Sequence, residues 1–436
     1  MFTRVQTVLT QKLHILPDRP ILIGVSGGAD SLTLMDILGK LDYPLIVAHF
    51  NHLLRPEASH DARNVELLAA KRGLPFTLGE GSAKDYAQEH HLSIEEAARE
   101  LRYRFLFEQA QLYGAQAVAV AHNADDQVET VLMHLLRGAG LDGLTGMPYR
   151  ALPNPWSDSI PLVRPLLGVW RAEIETYCAE NSLVPVVDAT NADTTYFRNR
   201  LRHNLIPELE TYVPGTRVRL VQTADLLTAD RQVLEEFTEQ SWQAVLAEID
   251  ESYIVFRLPA FRLPPLGLQR RLIRKALAHL RPGARDADFS LVQRALDFAT
   301  NPTTTGQADL GLGLRIALEG ENLLIADWYA ELPNAHYPQL KADCSLPIPG
   351  TVNLGNGWVL KAEIPADVEA AQRAAAGNRD PFRAWVDLGE RPPLLNVRPR
   401  YPGDRFQPLG MAGQSLKISD FMINQKIFQR ARAAWP

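Results

Sequence analysis

Cysteine is nearly absent from this 436-residue chain. Cys178 and Cys344 stand far apart, which excludes a CxxC redox motif and a four-cysteine zinc site. Cys178 lies in the helical pattern WRAEIETYCAEN and reads as packing. No run of 18 apolar residues occurs, so no membrane-spanning helix is expected. The opening MFTRVQTVLTQKLHIL lacks a continuous apolar stretch and a small-residue cleavage site. It reads as an amphipathic helix and not as a signal peptide. These absences predict a soluble, cytoplasmic protein. Repeats and low-complexity tracts are missing too. Length predicts two or three domains, and 46% hydrophobic residues are ample for their cores.

What is present is concentrated in residues 21–38, ILIGVSGGADSLTLMDIL. An apolar strand, Ile21 to Val25, runs into Ser26-Gly27-Gly28-Ala29-Asp30-Ser31. A helical pattern follows at once, with Leu32, Met35 and Leu38 on one face. Strand, glycine-rich loop and helix N-terminus together bind phosphate: glycines let the backbone present consecutive N–H groups, and the helix dipole adds positive charge. A P-loop would need GxxxxGK[ST]. Here no Lys follows the glycines, and Asp30 and Ser31 stand in that region. A plain strand–helix turn capped by Ser31 is the bland alternative.

Strand and helix alternate through the first 200 residues. Leu45 to Phe50, Pro75 to Leu78 and Ala117 to Ala121 read as strands; 58–72, 93–113 and 125–136 read as helices. Ser93 and Glu96 make a capping pair. The alternation predicts an α/β fold with a doubly wound parallel sheet. Ligands bind beyond the carboxyl ends of such strands, so the loops after Val25, Phe50 and Ala121 should meet.

Those loops hold the unusual residues. In AHNADDQVETVLMHLLRGAG, Asp126 and Glu129 share one helix face. Two carboxylates beside a phosphate loop suit a cationic amine or Mg²⁺; capping of the helix is the alternative for Asp125 and Asp126. Arg99, Arg102, Tyr103 and Arg104 crowd one helix, where solvent alone accounts for two of the arginines. His49 and His52 have a zinc-like spacing but no second pair, and a place in the nucleotide pocket fits them better. Arg198, Asn199, Arg200 and Arg202 reach phosphate, of ATP or tRNA, or solvate a helix. Residues 391–436 carry eight Lys/Arg, among them Arg405, Lys417 and Lys426, against Asp404 and Asp420. On a chain of net charge −6, that tail is either a polyanion surface or ordinary solvated surface.

Residues 26–31 resemble the SGGxDS pyrophosphate loop of the N-type ATP pyrophosphatases, the PP-loop superfamily. HFNHLLRPEAS (49–59), IEEAARELRYRFL, AHNADDQVETVLMHLLRGAGLDGLTGM, the block 162–209 and GDRFQPLGMAGQSLKISDFMINQKI (403–427) narrow the resemblance to the tRNA(Ile)-lysidine synthetase family. The blocks cover most of residues 20–210 and the last 40. The resemblance implies a ligase that splits ATP into AMP and pyrophosphate. The wobble cytidine of tRNA(Ile) with a CAU anticodon attacks the α-phosphate, and L-lysine then displaces AMP. Lysidine pairs with A, so decoding moves from AUG to AUA.

By motif, ATP lies on Ser26, Gly27, Gly28, Ala29, Asp30 and Ser31, and Asp30 helps place Mg²⁺. Asp126 and Glu129 hold lysine, with Arg102 completing that site. Arg198, Arg202, Arg405, Lys417 and Lys426 are the expected tRNA contacts. Expected domains are a catalytic 1–213, a helical tRNA-binding 214–332 and a small mixed α/β 333–436. The family usually continues past residue 436, so the last domain is expected to be short or trimmed. A homodimer is left open. Two rivals remain: another adenylating PP-loop enzyme, such as a thiolase, an amidotransferase or an NAD synthetase, and a tRNA-binding protein with a vestigial nucleotide site. The missing cysteine pairs argue against a thiolase, and the missing glutaminase against an amidotransferase.

Overall fold

The computed structural model describes residues 1–54, 58–186, 197–282, 289–301, 306–330, 332, 337–380, 382–407, 413–425, 427 and 431–436. They form two compact units, Met1–Glu236 and Phe237–Pro436.

The first unit opens with α1 (Phe2–Thr7) and a π-helical turn, Val8–Lys12. Then come β1 (Ile21–Gly24), α2 (Ala29–Lys40), β2 (Leu45–Asn51), α3 (Ala58–Lys71), β3 (Phe76–Glu80), α4 (Ala83–His90) and α5 (Ile94–Leu112). β4 (Ala117–Ala119), α6 (Ala124–Leu136), α7 (Leu141–Leu144), β5 (Arg150–Ala151), β6 (Leu162–Val163) and α8 (Arg171–Glu180) follow. The unit continues with α9 (Phe197–Arg200), a π-helical turn, Leu201–Leu205, α10 (Ile206–Tyr212) and the start of α11 (Thr216–Val245).

The sheet order is β3-β2-β1-β4-β6-β5, parallel except for the β5–β6 edge. This is the expected doubly wound sheet, reversing direction between β1 and β4. Its central strands are buried on both faces, as helices on both sides require. Ile21 and Ile23 pack with Leu34, Ile37, Ile174 and Cys178; Leu22, between them, packs with Tyr103, Leu106 and Phe107 of α5. Cys178 is the packing residue expected, its sulfur 3.2 Å from Thr33 Oγ1. Ser93 and Glu96 form the expected capping box of α5.

The backbone breaks at 213–215, where Gly215 has φ +84°. α11 starts just beyond, and its Leu220 and Val221 pack against Val128 and Leu132 of α6. That packing keeps the first turns of α11 with the first unit.

The second unit holds β7 (Leu246–Ile249), β8 (Tyr253–Arg257), α12 (Leu258–Phe261), α13 (Leu266–Leu280), α14 (Phe289–Thr300), β9 (Gly306–Gly311), β10 (Leu314–Glu319) and β11 (Asn322–Asp327). The strands make an antiparallel sheet, β7-β8-β11-β10-β9. Leu272, Ile273 and Leu277 of α13 pack on its Phe256, Ile316 and Ile325. The stretch read as helical thus carries a five-stranded sheet as well. The rest is small: β12 (Cys344–Pro347), β13 (Gly350–Asn353), β14 (Val359–Ala362), α15 (Val368–Ala376), β15 (Leu394–Val397), β16 (Arg405–Phe406), β17 (Leu416–Lys417) and α16 (Ile418–Asn424). Among the described residues, no helix is long and apolar enough to cross a membrane.

Candidate active site

Chain reversal after β1 requires Gly27 at φ +88°, a conformation that side chains with a Cβ rarely adopt. Gly28 then starts α2. Ser31 closes the loop: its hydroxyl accepts from Ser26 N at 3.2 Å and donates to Gly28 O at 3.0 Å. Ser26 itself is exposed. The loop is therefore preformed around Ser31, whose hydroxyl also lies 3.3 Å from that of the exposed Ser26.

Beyond β4, Asn123 starts α6. Its side-chain oxygen accepts from Asp126 N at 3.1 Å, and Asp126 Oδ2 accepts from Asn123 N at 3.0 Å. Asn123 Nδ2 donates to Asp30 Oδ1 at 3.0 Å, which joins the two loops at the switch point of the sheet. The other Asp30 oxygen takes Arg171 Nη1 at 2.6 Å. Burial, above all, raises the Asp30 pKa, with the Asp126 charge adding to it; Arg171 and Asn123 pull it back.

Asp126 and Glu129 lie side by side, and Glu129 is only 1% exposed. Arg198 Nε meets Glu129 Oε2 at 2.6 Å, and Arg202 Nε meets Oε1 at 2.5 Å. Both guanidiniums also reach Asp126 Oδ1, at 3.1 and 3.3 Å. Burial works against the charge on Arg198, but Asp126 and Glu129 outweigh it and raise its pKa. Asp125 accepts from the Arg171 backbone N–H at 2.9 Å and pairs with Arg217 at 3.1 Å. These groups line a cavity of about 960 Å³. A cavity with paired carboxylates next to a pyrophosphate-type loop can hold a cationic amine beside a nucleotide.

A PP-loop domain family matches residues 1–209. Over 425 residues the chain is 36% identical to a tRNA(Ile)-lysidine synthase of Dehalococcoides mccartyi (strain CBDB1), covering 95% of this chain and 88% of that one. The corresponding protein of Geobacter sulfurreducens is 35% identical, with 96% and 86% covered. That of Symbiobacterium thermophilum is 33% identical, with 100% and 90% covered. The chain belongs to the tRNA(Ile)-lysidine synthase family.

Ser26 to Ser31, Asp126 and Glu129 converge. His49 Nδ1 hydrogen-bonds Val25 O at 2.7 Å, which fixes the ring behind the loop, and burial lowers its pKa. The His52 ring lies tilted at 56° against Phe50, their ring centres 5.0 Å apart. Burial first, then the charges of Arg102 and His49, bring its pKa to about 4. Both imidazoles are neutral at pH 7.

Arg102 does not join the two carboxylates; its guanidinium lies 5.3 Å from the Tyr103 ring centre. Arg198 and Arg202, the expected tRNA contacts, hold Asp126 and Glu129 in this structure. They do so because the segment after residue 196 folds back over α6, where Leu201 packs on Val128. In the second unit, Arg405 donates to Ser415 Oγ at 2.9 Å and to Ser415 O at 2.8 Å, and stands opposite Lys417 across β16–β17. Lys426 lies outside the described residues. Sequence reasoning missed Asn123, Arg171 and Arg217. For Asn123 there was a signal: Asn followed three residues later by Asp is a capping pattern. For the arginines there was none, since their partners are remote in sequence.

Proposed function

We propose that this chain ligates L-lysine to the wobble cytidine of a tRNA(Ile) with a CAU anticodon, splitting ATP into AMP and pyrophosphate, in the cytoplasm. The observation that carries this is buried Glu129 beside half-buried Asp126, tied through Asn123 to Asp30 of the pyrophosphate loop. ATP would lie on that loop, its phosphates on the N–H groups of residues 26–31. The cytidine C2 oxygen attacks the α-phosphate and pyrophosphate leaves. The lysine ε-ammonium takes the place of a guanidinium on Glu129 and Asp126. There it gives up its proton to a carboxylate, and the amine displaces AMP from C2.

Asp30 and Asp126 would hold Mg²⁺. The two carboxylates are close enough for Asp126 to raise the Asp30 pKa, and Mg²⁺ commonly takes one or two carboxylates plus substrate phosphates. The ion would neutralise charge on the departing pyrophosphate. The test is lysine incorporation into a tRNA(Ile) transcript, followed together with AMP from α-labelled ATP. Both products should depend on the transcript, and the modified base on lysine. ADP in place of AMP would remove the reading.

A further inference from the structure

A second polar cluster flanks the carboxylate pocket. Arg99 and Arg102 sit one turn apart on α5, His122 follows β4, and Arg164 follows β6. Tyr103 joins them. The Arg99 guanidinium lies 4.7 Å and that of Arg102 5.3 Å from its ring centre, and Trp156 stacks on it at 4.3 Å. Arg164, Arg198, Arg102 and Arg99 are the charges that, after burial, keep His122 neutral.

The cluster differs from its neighbour in one respect. In the carboxylate pocket, Arg171, Arg198, Arg202 and Arg217 all pair with acids. Among the described residues, Arg99, Arg102 and Arg164 have no ion pair. Glu100, the acid next to Arg99 in sequence, turns to Trp156 Nε1 at 3.2 Å and to Arg104 at 3.6 Å. Arg164 is 4% exposed, and among the described residues its only side-chain hydrogen bond is to Pro148 O, at 2.8 Å. Its Nε is buried with no hydrogen-bond partner among the described residues, as are Tyr103 Oη, His122 Nδ1 and His52 Nδ1. Buried donors and an uncompensated buried cation are costly unless an anion completes them.

We propose that Arg99, Arg102, Arg164 and His122 form a phosphate subsite beside the carboxylate pocket. Guanidinium forks match phosphate oxygens, and Tyr103 holds the two α5 arginines in place. Resting on the ligase reading, the phosphate comes from one of two sources: ATP, or the backbone of the RNA next to the target cytidine. Arg102 accordingly serves phosphate and not lysine.

The experiment compares wild type with Arg99→Ala, Arg102→Ala and Arg164→Met. One arm titrates a non-hydrolysable ATP analogue, a second a labelled tRNA(Ile) transcript at several salt concentrations, and a third L-lysine. A loss of roughly ten- to hundredfold in one phosphate arm is expected, with lysine affinity unchanged. Loss in the ATP arm assigns the site to ATP. Loss in the transcript arm, with a flatter salt dependence, assigns it to RNA. Unchanged affinity in both phosphate arms for the folded Arg99→Ala and Arg102→Ala proteins overturns the proposal. So does a loss confined to lysine. If Arg164→Met does not fold, the exposed Arg99 and half-buried Arg102 decide alone. Phosphate losses in a protein whose wild type incorporates no lysine would sink the ligase reading and leave the subsite standing.

Discussion

Asn123 donates to Asp30 across 93 residues of sequence, while the same side chain caps α6. One amide therefore starts the helix that carries Asp126 and Glu129, and aims a carboxylate of the pyrophosphate loop. Asn123→Ala should lose about 1 kcal/mol of stability from the cap and much of its pyrophosphate release. Asn123→Asp keeps a capping oxygen but sets a second negative charge against Asp30. Its denaturation midpoint should recover while pyrophosphate release stays low. Recovery of both would reduce Asn123 to a cap.

Glu129→Gln separates the two chemical steps. The amide fits the same space but leaves Arg198 and Arg202 short of a counter-charge. With both guanidiniums partly exposed, the stability loss should be about 1–3 kcal/mol. Lysine incorporation should fall at least about a hundredfold if Glu129 makes the proposed charge-assisted contact to the amine. Lysine-independent pyrophosphate release should change far less. Equal loss in the two assays, with the fold intact, would return Glu129 to a structural pairing role.

The first unit was legible because its signals are local. Ile21 to Gly24 and Leu45 to Asn51 are apolar runs bounded by turns, and each precedes a helix-period pattern. The pyrophosphate loop and the carboxylate pair lie within single segments. What could not be read was pairing across the chain. Arg198 and Arg202 looked like generic phosphate donors, because nothing near them in sequence names Glu129, 69 and 73 residues away. Arg102 is joined to the carboxylates only by resemblance; its guanidinium stands beside the Tyr103 ring, and its charge acts on His52 and His122. In the second unit, Tyr253–Arg257 and Leu314–Glu319 are runs of five and six residues, too short for periodicity to tell strand from helix.

Arg171→Ala tests the charge state of Asp30. Burial lifts the Asp30 pKa above the usual 3.8, and Arg171 opposes that lift. Removing Arg171 raises the pKa further, so the ionised form, the one proposed to act beside the phosphates, is lost at a higher pH. The acid limb of pyrophosphate release should move to higher pH. Stability follows the same linkage: the folded state holds the Asp30 proton more tightly than the unfolded chain does. The mutant should therefore be less stable than wild type at pH 7, and the gap should close as pH falls through the Asp30 pKa. An unmoved acid limb would mean that another group sets it.

Arg405 and Lys417 face each other across a two-residue ribbon, a like-charge pairing that weakens a hairpin unless an anion bridges it. Ser415 holds the Arg405 guanidinium through both its hydroxyl and its carbonyl, which pre-sets the fork. Such a fixed, paired positive charge suits the phosphates of a tRNA backbone. Arg405→Ala and Lys417→Ala together should weaken transcript binding and flatten the log–log salt dependence by roughly 1.5–2 units if each side chain touches one phosphate. ATP binding should not change, because the pyrophosphate loop belongs to the first unit. Circular dichroism should be unaltered, since both residues lie on the surface and contribute nothing to the packing of Phe406 on Phe421. An unchanged salt slope with normal transcript affinity would make the basic tail ordinary solvated surface. Recognition would then pass to the basic helix α13, with Arg270 and Lys275 the next positions to replace.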